Sequence, residues 1–219
     1  MNRKPAIVVL AAGRGSRFLS QQHKLVQPLG TATVMGQTIL HAIESRLPVV
    51  VVTTNALATE ALRWVARRDL VLLPEVGSAP GEPLGMGYSI AAGVMARPHA
   101  PGWLLLPADM PAVRASSLQA VATALEQQPV AFAQHHGRRG HPVAFAAELF
   151  SELSLLTGDD GARRVIARYP SIGVELDDPG VLQDVDTLAG LEAMQRSMGR
   201  AETSAEAIHP DKRLSARSP

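Results

Sequence analysis

A short apolar strand that leads directly into a glycine-rich turn is the feature that most constrains the fold of this chain. Residues 6–11 read Ala-Ile-Val-Val-Leu-Ala, and the turn at 13–17 reads Gly-Arg-Gly-Ser-Arg. An unbroken apolar run of this length is typical of a strand that is buried on both faces, as in a parallel sheet covered by helices. The sequence therefore predicts an α/β fold with this strand inside the sheet.

Apolar runs and amphipathic segments alternate along the rest of the chain. The pattern predicts strands at 6–11, 49–53, 70–73, 103–106, 130–133, 143–145 and 172–176. It predicts helices at 34–46, 57–68, 86–96, 116–127, 147–156, 160–168 and 187–198. Such alternation favours a single three-layer α/β/α domain with a mostly parallel, Rossmann-like sheet. The polar segments 74–85 and 135–142 are predicted to be loops that carry function.

Composition limits the classes of partner and compartment. The 219 residues are 46% hydrophobic and 19% charged with a net charge of +1, which suits one globular domain. We assign it to residues 1–198 and predict a disordered polar tail at 199–219. The low net charge gives no reason to expect nucleic acid or a membrane as partner. Because the chain lacks cysteine, disulfides and thiol nucleophiles are excluded, and we expect a cytoplasmic protein.

The glycine-rich turn indicates a loop that binds a polyphosphate. Glycine lets backbone N–H groups approach phosphate oxygens, and Arg17 and Lys24 would add positive charge there. The turn lacks the Gly-Lys-Ser/Thr ending of a P-loop, and Phe18 replaces the third glycine of a dinucleotide-binding loop. A tight turn with solvated cations is the structural alternative. The predicted nucleotide-binding residues of this region are Leu10, Ala11, Ala12, Gly13, Arg14, Gly15, Ser16, Arg17 and Lys24.

Aspartates at two places are candidates for a Mg²⁺ site. Asp109 follows the apolar run 103–106, and ligands of parallel sheets bind at the carboxyl ends of strands. Asp184 and Asp186 are two residues apart, so in an extended segment they point the same way. We predict that Asp109 and Asp186 hold Mg²⁺ beside a polyphosphate, and that Asp184 is solvated or structural. The alternatives are a turn or helix-capping role for Asp109 and a helix-entry role for Asp186.

Two further segments are candidates for substrate contacts. Residues 85–89, Gly-Met-Gly-Tyr-Ser, begin a predicted helix where small residues can approach a base or ribose. A packing requirement for small residues is the alternative there. His141, in the segment Gly-His-Pro at 140–142, either hydrogen-bonds an acceptor phosphate or a substrate ring, or is a surface histidine. The segment 158–163 is first interpreted as a loop entering a helix with an aspartate cap, and second as an acceptor-binding segment.

Taken together, these motifs resemble the nucleotidyltransferase superfamily whose signature is L-A-A-G-x-G-x-R followed by a lysine. Within that superfamily the chain is most similar to the molybdenum-cofactor nucleotidyltransferases, over about residues 5–195. The motifs that carry the resemblance are residues 10–17 with Lys24, 85–89, 106–111, 140–142, 158–163 and 184–187.

The resemblance implies a sheet of the nucleotide-diphospho-sugar transferase type and a Mg²⁺-dependent enzyme. It implies that Arg17, Lys24 and Asp109 are catalytic. The implied nucleotide-binding residues beyond the glycine-rich loop are Gly85, Met86, Gly87 and Ser89, and the implied acceptor-binding residues are Gly140, His141, Pro142, Asp159 and Arg163.

The same resemblance implies the substrates. Cytidylyl enzymes of the family tend to read Leu-Ala-Ala-Gly, as residues 10–13 do here, and the methyl of Ala12 would narrow the base pocket for a pyrimidine. The expected reaction transfers CMP from CTP to the phosphate of molybdopterin and releases pyrophosphate. The alternatives are guanylyl transfer from GTP, transfer to another phosphate acceptor, and a non-catalytic accessory protein that binds nucleotide or cofactor for a client molybdoenzyme.

Overall fold

A computed structural model describes residues 4–13, 22–74 and 85–197 of the chain. Seven strands form one sheet in the order β5-β4-β1-β6-β8-β7-β9, and β2 and β3 form a separate antiparallel pair. The strands are β1 Ala6–Ala11, β2 Pro28–Leu29, β3 Ala32–Thr33, β4 Val49–Thr54, β5 Leu70–Leu73, β6 Gly102–Pro107, β7 Val130–His135, β8 Arg138–Ala146 and β9 Ser171–Glu175. The predicted sheet is thus confirmed, with the short β2–β3 hairpin as an addition.

Helices cover both faces of this sheet. They are α1 Val34–Glu44, α2 Asn55–Ala61, α3 Met86–Met95, α4 Ala115–Ala124, α5 Phe150–Leu153 and α6 Arg163–Arg168, and α7 runs from 188 to the last described residue, 197. Side chains of α1, α2, α4 and α7 join one apolar cluster, whereas those of α3, α5 and α6 join another. Alternate residues of β1 enter the two clusters, so the three-layer prediction is confirmed.

The pairing of strands fixes where ligands can bind. β1 pairs in parallel with β4 on one side and with β6 on the other, and β8 is antiparallel to both β6 and β7. The chain builds β4 and β5 on one side of β1 before it crosses to β6. The order of strands therefore reverses between β1 and β6, and the crevice at the carboxyl ends of these two strands is the expected ligand site.

The predicted loop at 135–142 is wrong, because most of this segment is strand. Only 136–137 form a turn, and β8 already begins at Arg138. Polarity and Pro142 made the segment look irregular. The β7–β8 register shifts between Phe132 and Gln134, and the pairing of β8 with β6 ends at Val143, so Pro142 lies where the ladder is already interrupted.

Several predicted helices are shorter in the structure. The segment predicted as 57–68 is helical at Asn55–Ala61 and turns before a 3₁₀ helix at Arg67–Asp69. α6 begins at Arg163 instead of 160, its N-cap is Ala162, and no side chain caps it. The predicted aspartate cap is therefore wrong, and Asp160 forms an ion pair with Arg164 at 2.9 Å instead.

Within the described ranges, no helix is long and apolar enough to cross a membrane. The predicted tail at 199–219 and the segment 75–84 lie outside the described residues.

Candidate active site

Lys24 lies between two carboxylates at the carboxyl edge of the sheet. Its Nζ donates a hydrogen bond to Asp109 Oδ2 at 2.6 Å and another to Asp186 Oδ1 at 2.8 Å. The three side chains are largely buried, with exposures of 12%, 18% and 24%. The structure thus brings together three of the predicted site residues from distant parts of the sequence.

Two hydrogen bonds of the preceding residue, Ala108, fix Asp109 beside the end of β1. The N–H of Ala108, just beyond β6, donates to the carbonyl of Leu10 at 3.0 Å. The hydroxyl of Thr38, on α1, donates to the carbonyl of Ala108 at 3.0 Å. Since α4 begins at Ala115 with Arg114 as its N-cap, Asp109 caps no helix. Its carboxylate therefore has no capping role and accepts from Lys24 instead.

The segment that carries Asp184 and Asp186 is tied to the same place. Val185 is fully buried between them, and its N–H donates to the carbonyl of Asp109 at 2.8 Å. With Val185 pointing inward, both aspartates turn toward the site, as the alternation of an extended segment requires. The helix-entry role falls to Thr187, whose Oγ1 accepts from the N–H of Gly190 at 3.1 Å.

Carboxylate oxygens of Asp109, Asp184 and Asp186 all lie within 4.8 Å of one another. Such a cluster of oxygen donors suits a hard divalent cation. The sequence analysis assigned Asp184 a solvated or structural role, and the structure instead adds this exposed carboxylate to the cluster.

The charges at this site hold Lys24 in its protonated form. Burial by itself lowers the pKa of Lys24, but hydrogen bonds and charge interactions with Asp109 and Asp186 outweigh burial and raise the pKa above its ordinary value of 10.5. An ammonium group surrounded by carboxylates is a strong point charge in a partly dry environment. It is suited to contact phosphate oxygens that enter the site.

Asp178 anchors the acidic segment, and the sequence analysis missed it. This buried carboxylate accepts hydrogen bonds from the N–H groups of Arg114 and Gly180, both at 3.0 Å, and from the hydroxyl of Ser117 at 2.5 Å. Gly180 packs so closely that a Cβ there would lie 2.2 Å from the carbonyl oxygen of Ala112. The loop before Asp184 is thus fixed to the start of α4.

His23 connects Gly13, the first residue of the glycine-rich turn, to the segment that contains Lys24. Its Nδ1 accepts from the N–H of Leu25 at 3.2 Å, which leaves Nε2 to carry the proton and donate to the carbonyl of Gly13 at 2.9 Å. This contact places Gly13 beside the residue directly before Lys24. The predicted residues Arg14, Gly15, Ser16 and Arg17 lie outside the described residues, whereas Leu10, Ala11, Ala12 and Gly13 form the end of β1 and the start of the loop.

His141 is largely buried beside the carboxylate cluster. Burial lowers its pKa, while the charges of Asp109 and Asp184 oppose this and the charge of Arg139 adds to it. Its Nδ1 is buried and has no hydrogen-bond partner within the described parts of the chain. A surface role for His141 is therefore wrong. A neutral imidazole with a free buried nitrogen suits a hydrogen bond to a bound ligand.

The glycines at the start of α3 pack against the segment 157–159. A Cβ on Gly85 would lie 2.1 Å from the carbonyl of Gly158, and one on Gly87 would lie 2.6 Å from the carbonyl of Thr157. The N–H of Gly87 also donates to Gly158 at 2.8 Å. These contacts give both glycines a packing role and bring the predicted nucleotide-binding segment against the predicted acceptor-binding segment. Ser89, also on α3, is buried, whereas Met86 is exposed.

Comparison with known proteins identifies the family of the chain. Residues 7–172 match the family described as the MobA-like NTP transferase domain. The chain belongs to the MobA-like NTP transferase family. The predicted family and nucleotide-diphospho-sugar transferase fold are thereby confirmed, and membership supports the predicted nucleotidyltransferase activity.

One curated protein and several solved structures are similar to the chain over most of its length. The purine catabolism protein PucB of Bacillus subtilis (strain 168) is 28% identical over 207 residues, which are 87% of this chain and 96% of PucB. A Mycobacterium sp. strain JC1 homologue of M. tuberculosis Rv0371c superposes with a TM-score of 0.73 at 26% identity, covering 90% of this chain and 97% of the homologue. The molybdopterin-guanine dinucleotide biosynthesis protein A of Archaeoglobus fulgidus shares the fold, with a TM-score of 0.64, 14% identity and coverage of 89% and 99%.

Proposed function

We propose that this protein transfers CMP from CTP to the phosphate of molybdopterin and releases pyrophosphate, with Mg²⁺ as its metal. The observation that carries the proposal is the ammonium of Lys24 held by Asp109 and Asp186 at the crevice between β1 and β6. A cation beside an acidic cluster, next to the start of a glycine-rich loop, suits a reaction in which phosphate charge is redistributed.

The acidic cluster fits a divalent metal by the chemistry of its donors. Asp109 and Asp186 would hold the ion, and Asp184 supplies a third oxygen within 4.8 Å of theirs. Oxygen-only donor sets of this kind are preferred by Mg²⁺. When bound, Mg²⁺ supplies positive charge to the oxygens of the triphosphate.

The reaction needs little from the protein beyond position and charge. An oxygen of the acceptor phosphate attacks the α-phosphorus of CTP, a P–O bond forms, and the bond to the departing pyrophosphate breaks. A phosphate monoester is largely ionised at neutral pH, so no general base is needed. Lys24 contacts the α-phosphate and the incoming acceptor phosphate, and Arg17 with the backbone of 13–16 binds the β- and γ-phosphates.

The remaining predicted residues divide between donor and acceptor. The half-buried Ala12 at the start of the loop supports a pyrimidine donor, because its methyl group reduces the room for the base. Gly85, Met86, Gly87 and Ser89 approach the nucleoside in this proposal. The acceptor is contacted by Gly140, His141, Pro142, Asp159 and Arg163, and the neutral His141 donates or accepts one hydrogen bond instead of supplying charge.

The test is pyrophosphate release by the purified full chain with Mg²⁺ and molybdopterin, with CTP, GTP, ATP and UTP compared in parallel. Release with CTP supports the proposal. Release with GTP alone overturns the choice of base, and binding of CTP without release overturns the enzymatic assignment to this acceptor.

Asp109→Asn provides the matched site variant. Loss of a main charge contact of this kind costs about 10²–10³ in kcat. Asp177→Asn is the control, because Asp177 is an exposed aspartate outside the acidic cluster. Equal rates for the two variants would remove Asp109 from the catalytic site.

A further inference from the structure

A cavity of about 530 Å³ opens beside His141, between β8 and α6. Its walls include Arg139, His141 and Val143 from β8 and Arg163 and Ile166 from α6. His141 is also close enough to Asp109 and Asp184 for their charges to oppose the lowering of its pKa by burial. The cavity therefore shares His141 with the surroundings of the acidic cluster and extends along one face of β8.

The cavity lies on the acceptor side of the site. The glycine-rich loop follows β1, and β8 is separated from β1 by β6 in the sheet. With about 4.8 Å between neighbouring strands, the cavity floor is roughly 10 Å from the strand that leads into the glycine-rich loop. Its volume is within the range of pockets for small molecules.

The register of β8 gives this cavity an inner end, beside the middle of the sheet, and an outer end, at the carboxyl edge of β6. Val143 pairs with Leu105 inside the sheet, whereas Arg139 is four residues nearer the carboxyl edge and pairs with Gln134 near the β7–β8 turn. After α6 the chain continues into β9, whose first residue, Ser171, pairs with Val130 at the inner end. The last residues of α6 are therefore the ones near the inner end. Arg163, at the start of α6, therefore lies on the same outer side as Arg139.

Arg139 and Arg163 have no acidic partner in the described part of the chain. Among the residues that the structure describes, no carboxylate lies within 4.0 Å of either guanidinium. Arg139 is nevertheless held in place, because its guanidinium carbon lies 3.9 Å from the centroid of the Phe132 ring. A guanidinium fixed by stacking and free of an ion pair keeps its N–H donors for an anion.

We propose that Arg139 and Arg163 form a second anion site for the acceptor, so that the preferred acceptor is a phosphomonoester that carries another anionic group at its far end. The reacting phosphate lies beside His141 and Lys24, and the far group lies at the arginines. Arg139 and His141 are two residues apart on β8, which corresponds to about 7 Å along the strand. Val143 lies on the other side of His141 from Arg139, and with Ile166 it forms the apolar inner part of the cavity, beyond the span between the two anionic groups. The sequence analysis did not select Arg139, and this inference depends on the proposed function because it assigns the cavity to the acceptor.

A matched pair of small probes tests the site without turnover. Phenyl phosphate and 4-carboxyphenyl phosphate differ only in a carboxylate at the end remote from the phosphate. Binding of each to the full chain is measured by isothermal titration with Mg²⁺ present and no nucleotide. We expect the carboxylated probe to bind about 10- to 100-fold more tightly, the range of one charge-assisted hydrogen bond.

Variants assign this preference to the two arginines. Arg139→Ala and Arg163→Ala should each reduce it at least tenfold, and Arg139→Lys should restore only part of it because an ammonium lacks the planar fork. Arg138→Ala and Arg164→Ala are the controls, since both are exposed neighbours absent from the cavity wall. Thermal unfolding of every variant checks that it is folded.

The outcomes separate this inference from the proposed function. Equal binding of the two probes by the wild type, or a preference that persists in Arg139→Ala, overturns the second anion site even if CMP transfer occurs. A preference that both arginine variants lose supports the site even if no pyrophosphate is released. Weaker CTP binding by Arg139→Ala, with acceptor binding unchanged, would move Arg139 to the nucleotide side and overturn the inference.

Discussion

Replacing Asp178 by alanine should destabilise the protein and disorganise the acidic cluster together. The carboxylate is 3% exposed and accepts three hydrogen bonds, from the N–H groups of Arg114 and Gly180 and the hydroxyl of Ser117. A hydrogen bond to a charged group is worth about 1.5–3 kcal/mol, so a simple sum would be about 4.5–9 kcal/mol. Water that enters the vacated space reduces this loss. We therefore expect the free energy of unfolding to fall by about 3–5 kcal/mol, the usual cost of breaking a buried charged contact.

That loss corresponds to a decrease in Tm of about 6–20 °C for a domain of this size. Thermal and urea unfolding of Asp178→Ala measure it, and Asp178→Asn should lie between Ala and wild type because an amide keeps one acceptor oxygen. Asp177→Ala is the control, since its side chain is exposed one residue away. The folded variant should also bind Mg²⁺ more weakly, because Asp184 and Asp186 follow on the same loop. A Tm for Asp178→Ala within 2 °C of the control, by the scale of about 2–4 °C per kcal/mol, would refute the anchoring role.

Three further predictions address the site itself. Lys24→Ala should lower kcat by about 10²–10³, because it deletes the ammonium group that Asp109 and Asp186 hold in the site. Lys4→Ala is the control and should leave kcat unchanged. Equal rates of pyrophosphate release by the two variants would contradict the role of Lys24. Gly13→Ala should keep the Tm of the wild type, since no described atom lies within 4 Å of an added Cβ, but it should raise the KM for CTP. Gly87→Ala should instead lower the Tm, because its added Cβ would lie too close to the backbone of Thr157. Because the pKa of His141 is lower in the folded state than in the unfolded chain, folding disfavours its protonation. The contribution of His141 to the free energy of unfolding is therefore fully present above pH 6.5 and is lost as the pH decreases below that value. The decrease in Tm between pH 7 and pH 5 should be smaller in His141→Gln than in the wild type.

Local sequence patterns were sufficient to predict the parts of the site that depend on strand ends. The run before Asp109 is apolar on both faces, so both the strand and the position of the carboxylate at its end follow from the sequence. The spacing of Asp184 and Asp186 likewise predicted that they share a direction. The sequence analysis gave Asp184 a solvated or structural role, and its side chain is indeed exposed; only the hydrogen bond of Val185 to Asp109 shows that it also points toward the other two carboxylates.

The residues that the sequence analysis missed depend on contacts between distant segments. Asp178 looks like an ordinary turn aspartate until its loop is placed against Arg114 and Ser117, more than 60 positions earlier. His23 is a polar residue in a polar loop, and its role depends on the carbonyl of Gly13 being within 2.9 Å. Arg139 was assigned to a loop, and the alternation that directs it into the cavity exists only because β8 extends to Arg138.

The charges of the site connect these separate observations to the proposed reaction. Three carboxylates and one ammonium leave Asp109, Asp184, Asp186 and Lys24 with a formal charge of −2, which one divalent cation would neutralise. Lys24 now makes the contacts with Asp109 and Asp186 that such a cation would take over. Its ammonium would then be released from the carboxylates toward the phosphate groups that arrive with the metal. On this argument Lys24 would stabilise the acidic cluster before substrates bind and would become available to them once a divalent cation took its place, so Lys24→Ala should lose rate without losing affinity for Mg²⁺.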